Sequence, residues 1–251
     1  MTILDDIVAS TRARLAKEPP VDRTTAASNR SSFALTAALR KDRINVIAEI
    51  KSASPSAGSI VENPNVEAIA AEYKAGGAAA ISIVTEPEFF HGSREWIARV
   101  DGLPVLMKDF IVDESQLIRG VAAGASAILL LASLLDAAQI RDFIACLDAY
   151  NCDALVEVHD ESELERAIGG GARIIGVNNR NLRDFSVDLG ASERLARQIP
   201  DGVIRVAESG IKTRADVDRL RAAGFDAFLV GESLLRQKDR AAAVRQLVTG
   251  T

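Results

Sequence analysis

The sequence predicts an α/β protein made of a single (β/α)8 TIM barrel with an N-terminal helical extension, and three observations carry this reading. First, one shape recurs. The segments "KAGGAAAISIVTE", "AAGASAILLLAS", "GGGARIIGVNNR" and "AAGFDAFLVGES" each run from a helix end through a glycine into a short apolar stretch. Their glycines, Gly76, Gly124, Gly171 and Gly224, fall roughly fifty residues apart, about two strand–helix units of ordinary size. At such helix ends a left-handed backbone costs glycine little. Second, eight runs of strand length can be placed, at 45–50, 79–84, 104–108, 126–131, 153–158, 173–178, 203–208 and 226–231. Most are apolar almost without break, as parallel strands buried on both faces are. Third, helical patterns lie between them: "NVEAIAAEYKAGG", "DESQLIRGVAAG", "DAAQIRDFIACLDAY", "DESELERAIGGG", "ASERLARQI" and "TRADVDRLRAAG". Several open on Asp, Ser or Thr as a helix cap. Eight units in 251 residues suit a closed barrel. A doubly wound open sheet is the structural rival, but no GxGxxG turn follows the first strand.

Residues 1–44 precede the first strand, leaving 45–251 for the barrel. Ile3, Leu4, Ile7 and Thr11 share one side of a helix, with Leu15 a turn further on. "KEPPVDR" ends that helix and "SSFALTAAL" offers a second, short one. On pattern alone this extension can plug the bottom of the barrel or cover its mouth.

Composition narrows the partners. The chain is 48% hydrophobic with a net charge of −5, and its basic residues are scattered, which argues against a nucleic-acid partner. "AILLLASLL" is too short to span a membrane. The early acids of "MTILDDIVASTRARLAKE" argue against a signal peptide. A reduced cytoplasmic setting is therefore expected, with Cys146 and Cys152 as structural thiols. No surface apolar stripe stands out, so a monomer is expected.

In this fold function collects at the C-terminal ends of the strands. Glu49 and Lys51 end the first strand, and the two-residue period puts them on one side. Lys108 ends the third, Glu157 the fifth, Asn178 the sixth, Glu208 and Ser209 the seventh, and Gly231 the eighth. Barrel interiors are normally filled by branched apolar side chains, and charges buried without partner or purpose cost several kcal/mol each, roughly. Acids and bases gathered from four strands at one end therefore point to acid–base chemistry, with the lysines donating protons or stabilising oxyanions. "SGI" and "GES" after the last two strands place small residues before the next helices, a common phosphate site. Phe90, Phe110, Leu129 and Leu131 near these ends suggest a slot for a planar ring. His91 and His159 complete no metal site, and His159 is expected to be solvated in its loop.

The ordered motifs "IAEIKSASPSAG", "SIVTEPEFFHGS", "PVLMKDFIVDESQ", "LVEVHDESELERA", "IGVNNRNL", "VAESGI" and "LVGESLL" resemble indole-3-glycerol phosphate synthase over nearly the whole chain. The resemblance implies a ring closure that uses no cofactor or metal. The substrate would be 1-(2-carboxyphenylamino)-1-deoxyribulose 5-phosphate, losing carbon dioxide and then water. It also favours the extension as a cover over the mouth. Lys108 matches the family's general acid, and Glu157, Lys51 and Glu49 match the groups that serve the dehydration. Asn178, Arg180 and Glu208 look like polar groups orienting the sugar, the lysines or the carboxylate, and Ser209 like a substrate contact. Ser54, Gly210, Gly231 and the backbone of Glu232 look like the phosphate cradle. Phe90, Phe110, Leu129, Leu131, Pro55 and Leu182 look like the anthranilate pocket, with Ser82 beside it. Glu232 departs from relatives that carry a small residue there, so its carboxylate must turn away from the phosphate.

Two rivals remain. Phosphoribosylanthranilate isomerase shares the fold but would carry a cysteine base at the end of the first strand, where this chain has Glu49 and Lys51. A non-catalytic or redirected phosphate-metabolite binder would not need the acid–base set.

Overall fold

A computed structural model of the chain describes residues 2–22, 24, 33–39, 42–55, 57–181 and 186–251. Eight parallel strands close on themselves: β1 (Asn45–Ile50), β2 (Ala80–Val84), β3 (Val105–Lys108), β4 (Ala127–Leu131), β5 (Asp153–Val158), β6 (Ile174–Asn178), β7 (Ile204–Glu208) and β8 (Ala227–Val230). Each pairs with its neighbour in the chain, and β8 returns to β1 through Asn45 opposite Ala227. The eight expected runs thus become the eight strands, shortened by a residue or so at some ends.

Strand parity divides the apolar residues into two cores. Val46, Ala48 and Ile50 of β1, with Ile81, Ile83, Met107, Ile128, Leu130 and Val156, face outward against the helices. Ile47, Ala80, Leu106, Ala127, Leu129, Leu155, Ile174, Val206 and Leu229 point inward and fill the barrel. The inward series continues one position higher into Lys108, Glu157 and Glu208, and on β6 past Gly176 into Asn178, where the polar end begins.

Helices return the chain between most strands: α3 (Val66–Ala75), α4 (Glu114–Ala123), α5 (Ala137–Asp148), α6 (Glu161–Gly169), α7 (Leu189–Ala196), α8 (Arg214–Ala222), and, after β8, α9 (Glu232–Leu235) and α10 (Arg240–Thr249). Asn65, Asp113, Asp136, Asp160, Asp188, Thr213 and Asp239 cap helices with their side chains. Between β2 and β3, where no helical pattern is evident, the chain makes only a 3-10 helix, Arg94–Arg99. Just after β1, Ala53–Ser54 pairs antiparallel with Gly58–Ser59.

One glycine expectation is corrected. Gly76 is right-handed at φ −76°, and Gly77 takes the left-handed turn at 95°. Gly76 is needed for packing, because a Cβ there would strike Ala241 and Val244 of α10. Gly124, Gly171 and Gly224 do adopt positive φ.

The N-terminal extension has its described parts at opposite ends of the barrel. α1 (Ile3–Leu15) starts at a Thr2–Asp5 capping box. It buries Ile7 and Thr11 and presents Ile3, Leu4 and Ile7 to the cavity at the C-terminal mouth. The turn after it is tied down by Glu18, whose carboxylate meets Arg119 at 2.7 Å, Arg14 at 3.5 Å and Arg94 at 3.6 Å. The second helix, α2 (Ala34–Ala38), instead closes the bottom. Leu35 and Leu39 join the inner core, while the backbone N–H and hydroxyl of Thr36 donate to the carboxylate of Asp153 at 3.0 and 2.6 Å. Both placements offered by the sequence pattern are therefore occupied, one by each helix. Among the described residues no helix is long and apolar enough to cross a membrane.

Leu35 is fully buried. Replacing it with alanine should cost about 2–5 kcal/mol, the usual range for a buried leucine truncation, seen as a lower midpoint in denaturant.

Candidate active site

A cavity of about 880 Å³ opens at the C-terminal end of the strands, between the loops and α1. Every site residue expected from the sequence lines it except two: Ser82 does not, and Leu182 lies outside the described residues. Ser82, expected beside the ring pocket, is fully buried in β2, in register with Glu49. Its hydroxyl has no hydrogen-bond partner there. It faces the barrel interior at the level of Glu49 but does not line the cavity.

At the centre stands Lys108. Its Nζ donates to Oε2 of Glu157 at 2.9 Å and lies 3.6 Å from Oε2 of Glu208. Lys51 Nζ donates to Oε1 of Glu49 at 2.7 Å. Asn178 Nδ2 donates to the other oxygen of Glu157 at 3.0 Å, and Asn178 Oδ1 accepts from the backbone N–H of Arg180 at 3.0 Å. Glu49, Glu157 and Glu208 are all buried, while the two lysines keep some exposure to the cavity. Glycines make room for two of the carboxylates. A Cβ on Gly176 would overlap the Glu208 carboxylate, and one on Gly231 would overlap that of Glu49.

Burial and mutual charge set the protonation states. Burial would push Lys108 down, but Glu157, Glu208 and Glu49 outweigh it and hold the ammonium above its ordinary range. Burial would raise Glu49 and Glu157. Lys51 and Lys108 hold Glu49 below the usual carboxylate range, and Lys108 with His159 and Asn178 do so for Glu157. Glu208 goes the other way: burial first, then repulsion from Glu157, push it well above the usual range against the pull of Lys108. Geometry agrees, for one lysine cannot satisfy two buried carboxylates. Glu157 has Lys108 and Asn178 as hydrogen-bond donors, whereas Glu208 stands farther from the ammonium, at 3.6 Å, and against the Glu157 carboxylate, with which it shares a hydrogen bond when protonated. Of the carboxylates in this cluster, Glu208 is the one drawn toward its protonated form, by burial first and then by Glu157.

The apolar side of the cavity is a tilted aromatic pair, Phe90 and Phe110, with centroids 5.8 Å apart, beside Leu129 and Leu131. Buried carboxylates hold both rings' backbones. Glu86 accepts from the N–H groups of Glu88, Phe89 and Phe90 at 3.1, 2.7 and 3.1 Å. Asp109 accepts from Phe110 N–H at 2.8 Å and from the Thr85 hydroxyl at 2.6 Å. After β7, Ser209 and Gly210 both have positive φ, 66° and 80°. For serine this is strained by roughly 1 kcal/mol or more. Asn179 braces that turn from below, donating to the carbonyls of Glu208 and Ser209. The Glu232 carboxylate is drawn onto Arg236 at 2.9 Å, one helical turn away, leaving the backbone beside Gly231 facing the cavity.

His159 corrects an expectation. Its side chain is only 15% exposed, with Nδ1 3.0 Å from Glu163 and Nε2 3.4 Å from Glu157. Glu86, Asn179, Glu163 and Gly176 were also not singled out in the sequence. Three of them act through backbone groups or a neighbour and one through an absent side chain. Glu86 and Asn179 carried a signal, as polar residues just past apolar strands, whereas Glu163 on α6 and Gly176 carried none.

Fold and site together define a (β/α)8-barrel enzyme with a lysine–glutamate acid–base centre beside an aromatic pocket. A sequence profile described as indole-3-glycerol phosphate synthase matches residues 4–247. The chain belongs to the indole-3-glycerol phosphate synthase family, the carboxy-lyases of tryptophan biosynthesis. It is 42% identical to the indole-3-glycerol phosphate synthase of Sulfurimonas denitrificans across 99% of both chains. With that of Chlorobium chlorochromatii it shares 50% identity over 76% of each. Solved structures share the fold at low identity. An N-acetylmannosamine-6-phosphate 2-epimerase from Clostridium perfringens has a TM-score of 0.62 at 17% identity, covering 82% of this chain and 93% of that one. The KGPDC of Streptococcus mutans has a TM-score of 0.63 at 11%, covering 82% and 95%.

Two expected outcomes follow from the geometry. The raised Glu208 group favours folding only while protonated, so its contribution is complete below about pH 4.5 and is lost as pH rises through its folded-state value. Glu208→Gln removes that loss. Thermal melts should show a Tm gain of about 2–4 °C at pH 8, vanishing near pH 4. Glu86→Ala releases three N–H groups behind Phe90. It should raise KM for the aromatic substrate about tenfold and change kcat less, as steady-state kinetics would report.

Proposed function

We propose that this chain converts 1-(2-carboxyphenylamino)-1-deoxyribulose 5-phosphate to indole-3-glycerol phosphate with Lys108 as the first proton donor. The observation that carries the reading is the position of the Lys108 ammonium. It is held charged between Glu157 and Glu208, opens onto the cavity, and lies on the strand that leads directly into Phe110. The aromatic carbon bearing the carboxylate attacks the sugar ketone, and Lys108 delivers a proton to the ketone oxygen, making it a hydroxyl. Carbon dioxide leaves and the ring regains aromaticity. Lys51, kept charged by Glu49, protonates the departing hydroxyl so that water leaves, and the Glu157 carboxylate takes the ring-side proton. Asn178 orients Glu157 for that transfer. Phe90, Phe110, Leu129, Leu131 and Pro55 hold the anthranilate ring. Ser54, Gly210, Gly231 and the backbone of Glu232 receive the phosphate, while Arg180 and Ser209 contact the carboxylate and sugar.

The rival isomerase reading lacks support here, since the end of β1 offers Glu49 and Lys51, and Cys146 and Cys152 lie on or just after α5. We read the chain as a cytoplasmic monomer. What supports this is that Ile168 and Val187 are the exposed large apolar side chains among the described residues, too little for an obligate interface.

The test follows indole fluorescence on mixing the protein with the carboxyphenylamino sugar phosphate. The parent should produce it, which neither an isomerase nor a binder does. Lys108→Ala should still fold, at a lowered Tm, yet lose turnover by several orders of magnitude, roughly the scale of a lost general acid with its electrostatic role. Near-parental turnover in that variant would overturn the assignment.

A further inference from the structure

His159 follows β5 and touches Glu157, yet the mechanism above gives it no part. Its ring is clamped. Nδ1 lies 3.0 Å from Oε2 of Glu163, and the same oxygen accepts from the His159 backbone N–H at 2.8 Å. Glu163 is buried in the first turn of α6, where its own N–H donates to Asp160. With Nδ1–H given to Glu163, the other nitrogen, Nε2, faces Oε1 of Glu157 at 3.4 Å and has no hydrogen-bond partner. In a neutral ring that nitrogen is a lone pair opposed to a carboxylate oxygen, two acceptors with nothing between them. A proton on Nε2 removes the conflict and leaves an imidazolium between two carboxylates.

We infer that His159 is a positioning residue for this reaction, a second cation that keeps Glu157 ionised and in place once Lys108 has given up its proton. The inference rests on the reading of Lys108 as the proton donor. At that moment Glu157 loses its 2.9 Å ammonium partner in a buried site, and Asn178 is neutral. Without another cation the carboxylate becomes the best place for any stray proton, and the base needed for dehydration is spent. The groups facing His159 are Glu163 from α6, Glu157 from β5 and Lys108 from β3. Burial and Lys108 disfavour its charge, while the Glu163 hydrogen bond and both glutamates favour it and prevail, placing His159 above the ordinary imidazole range.

The chain has only two histidines, so both ring signals can be followed by NMR and assigned with His91→Gln. His159 should titrate above the ordinary 6.5, and Glu163→Gln and Glu157→Gln should each move its midpoint down by about one pH unit. In kinetics, the ratio of parental kcat to that of His159→Gln should be about tenfold below the midpoint and approach one above it, with KM unchanged. A midpoint at or below 6.5 overturns the inference, and so does a ratio that does not vary with pH, which is what lost packing would give. The NMR arm needs no turnover. A failed histidine midpoint beside an inactive Lys108→Ala therefore sinks this inference alone, whereas an active Lys108→Ala sinks the reading beneath it.

Discussion

One ammonium group organises the active end of this barrel. Lys108 lies between two buried glutamates that it cannot neutralise equally, 2.9 Å from one and 3.6 Å from the other. In a site of low polarity that difference is amplified, because an unpaired buried carboxylate is costly. The nearer acid, Glu157, becomes the carboxylate, and Asn178 adds a hydrogen bond to it. The farther acid, Glu208, is drawn the other way, toward its protonated form. A single cation thus pushes two chemically identical side chains in opposite directions.

The rest of the fold can be understood as support for that cluster. Inward-facing positions are apolar up to Leu106, Leu155 and Val206 and polar one step higher, so the charges stand on a dry, packed floor. α2 closes the far end of the same interior with Leu35 and Leu39, while α1 lays Ile3, Leu4 and Ile7 along the mouth. The two ends of the barrel are treated differently for a physical reason. The bottom needs volume filled and stays filled, whereas the top must keep a cavity and still limit water. Loop order around the cavity is maintained by side chains that bind backbone rather than one another. Glu86 and Asp109 hold the two phenylalanine loops, and Asn179 holds the strained Ser209 turn. Such contacts spend a polar side chain to fix a backbone, and so the ligand-facing side chains remain available for chemistry.

Much of this was legible from residue order. The eight strands could be placed because parallel strands buried on both faces leave continuous apolar runs, and the exceptions to that rule, Glu49, Lys108, Glu157 and Glu208, marked the catalytic end. Period-two alternation put Glu49 and Lys51 on one side without reference to any partner. Helix caps such as Asp113 and Thr213 were equally local. The left-handed turn expected at Gly76 was misplaced by one residue, since the close approach of α10 decides which of two adjacent glycines must lack a side chain and which must turn. His159 was misjudged because a histidine after a strand is usually in water, and its sequence neighbours Glu157 and Glu163 converge on its ring only when β5 and α6 are packed together.

The amino-acid order by itself determined the strand count, the facing of each side chain, and the kinds of groups gathered at the strand ends, because all of these follow from local periodicity. Tertiary structure alone decided which glutamate is drawn toward its protonated form, which nitrogen of His159 faces a carboxylate, and that one extension helix lies at the mouth while the other closes the bottom. Those outcomes depend on how packed strands and helices aim their side chains at one another and on the burial that strengthens the interaction, quantities that exist only once the barrel has closed.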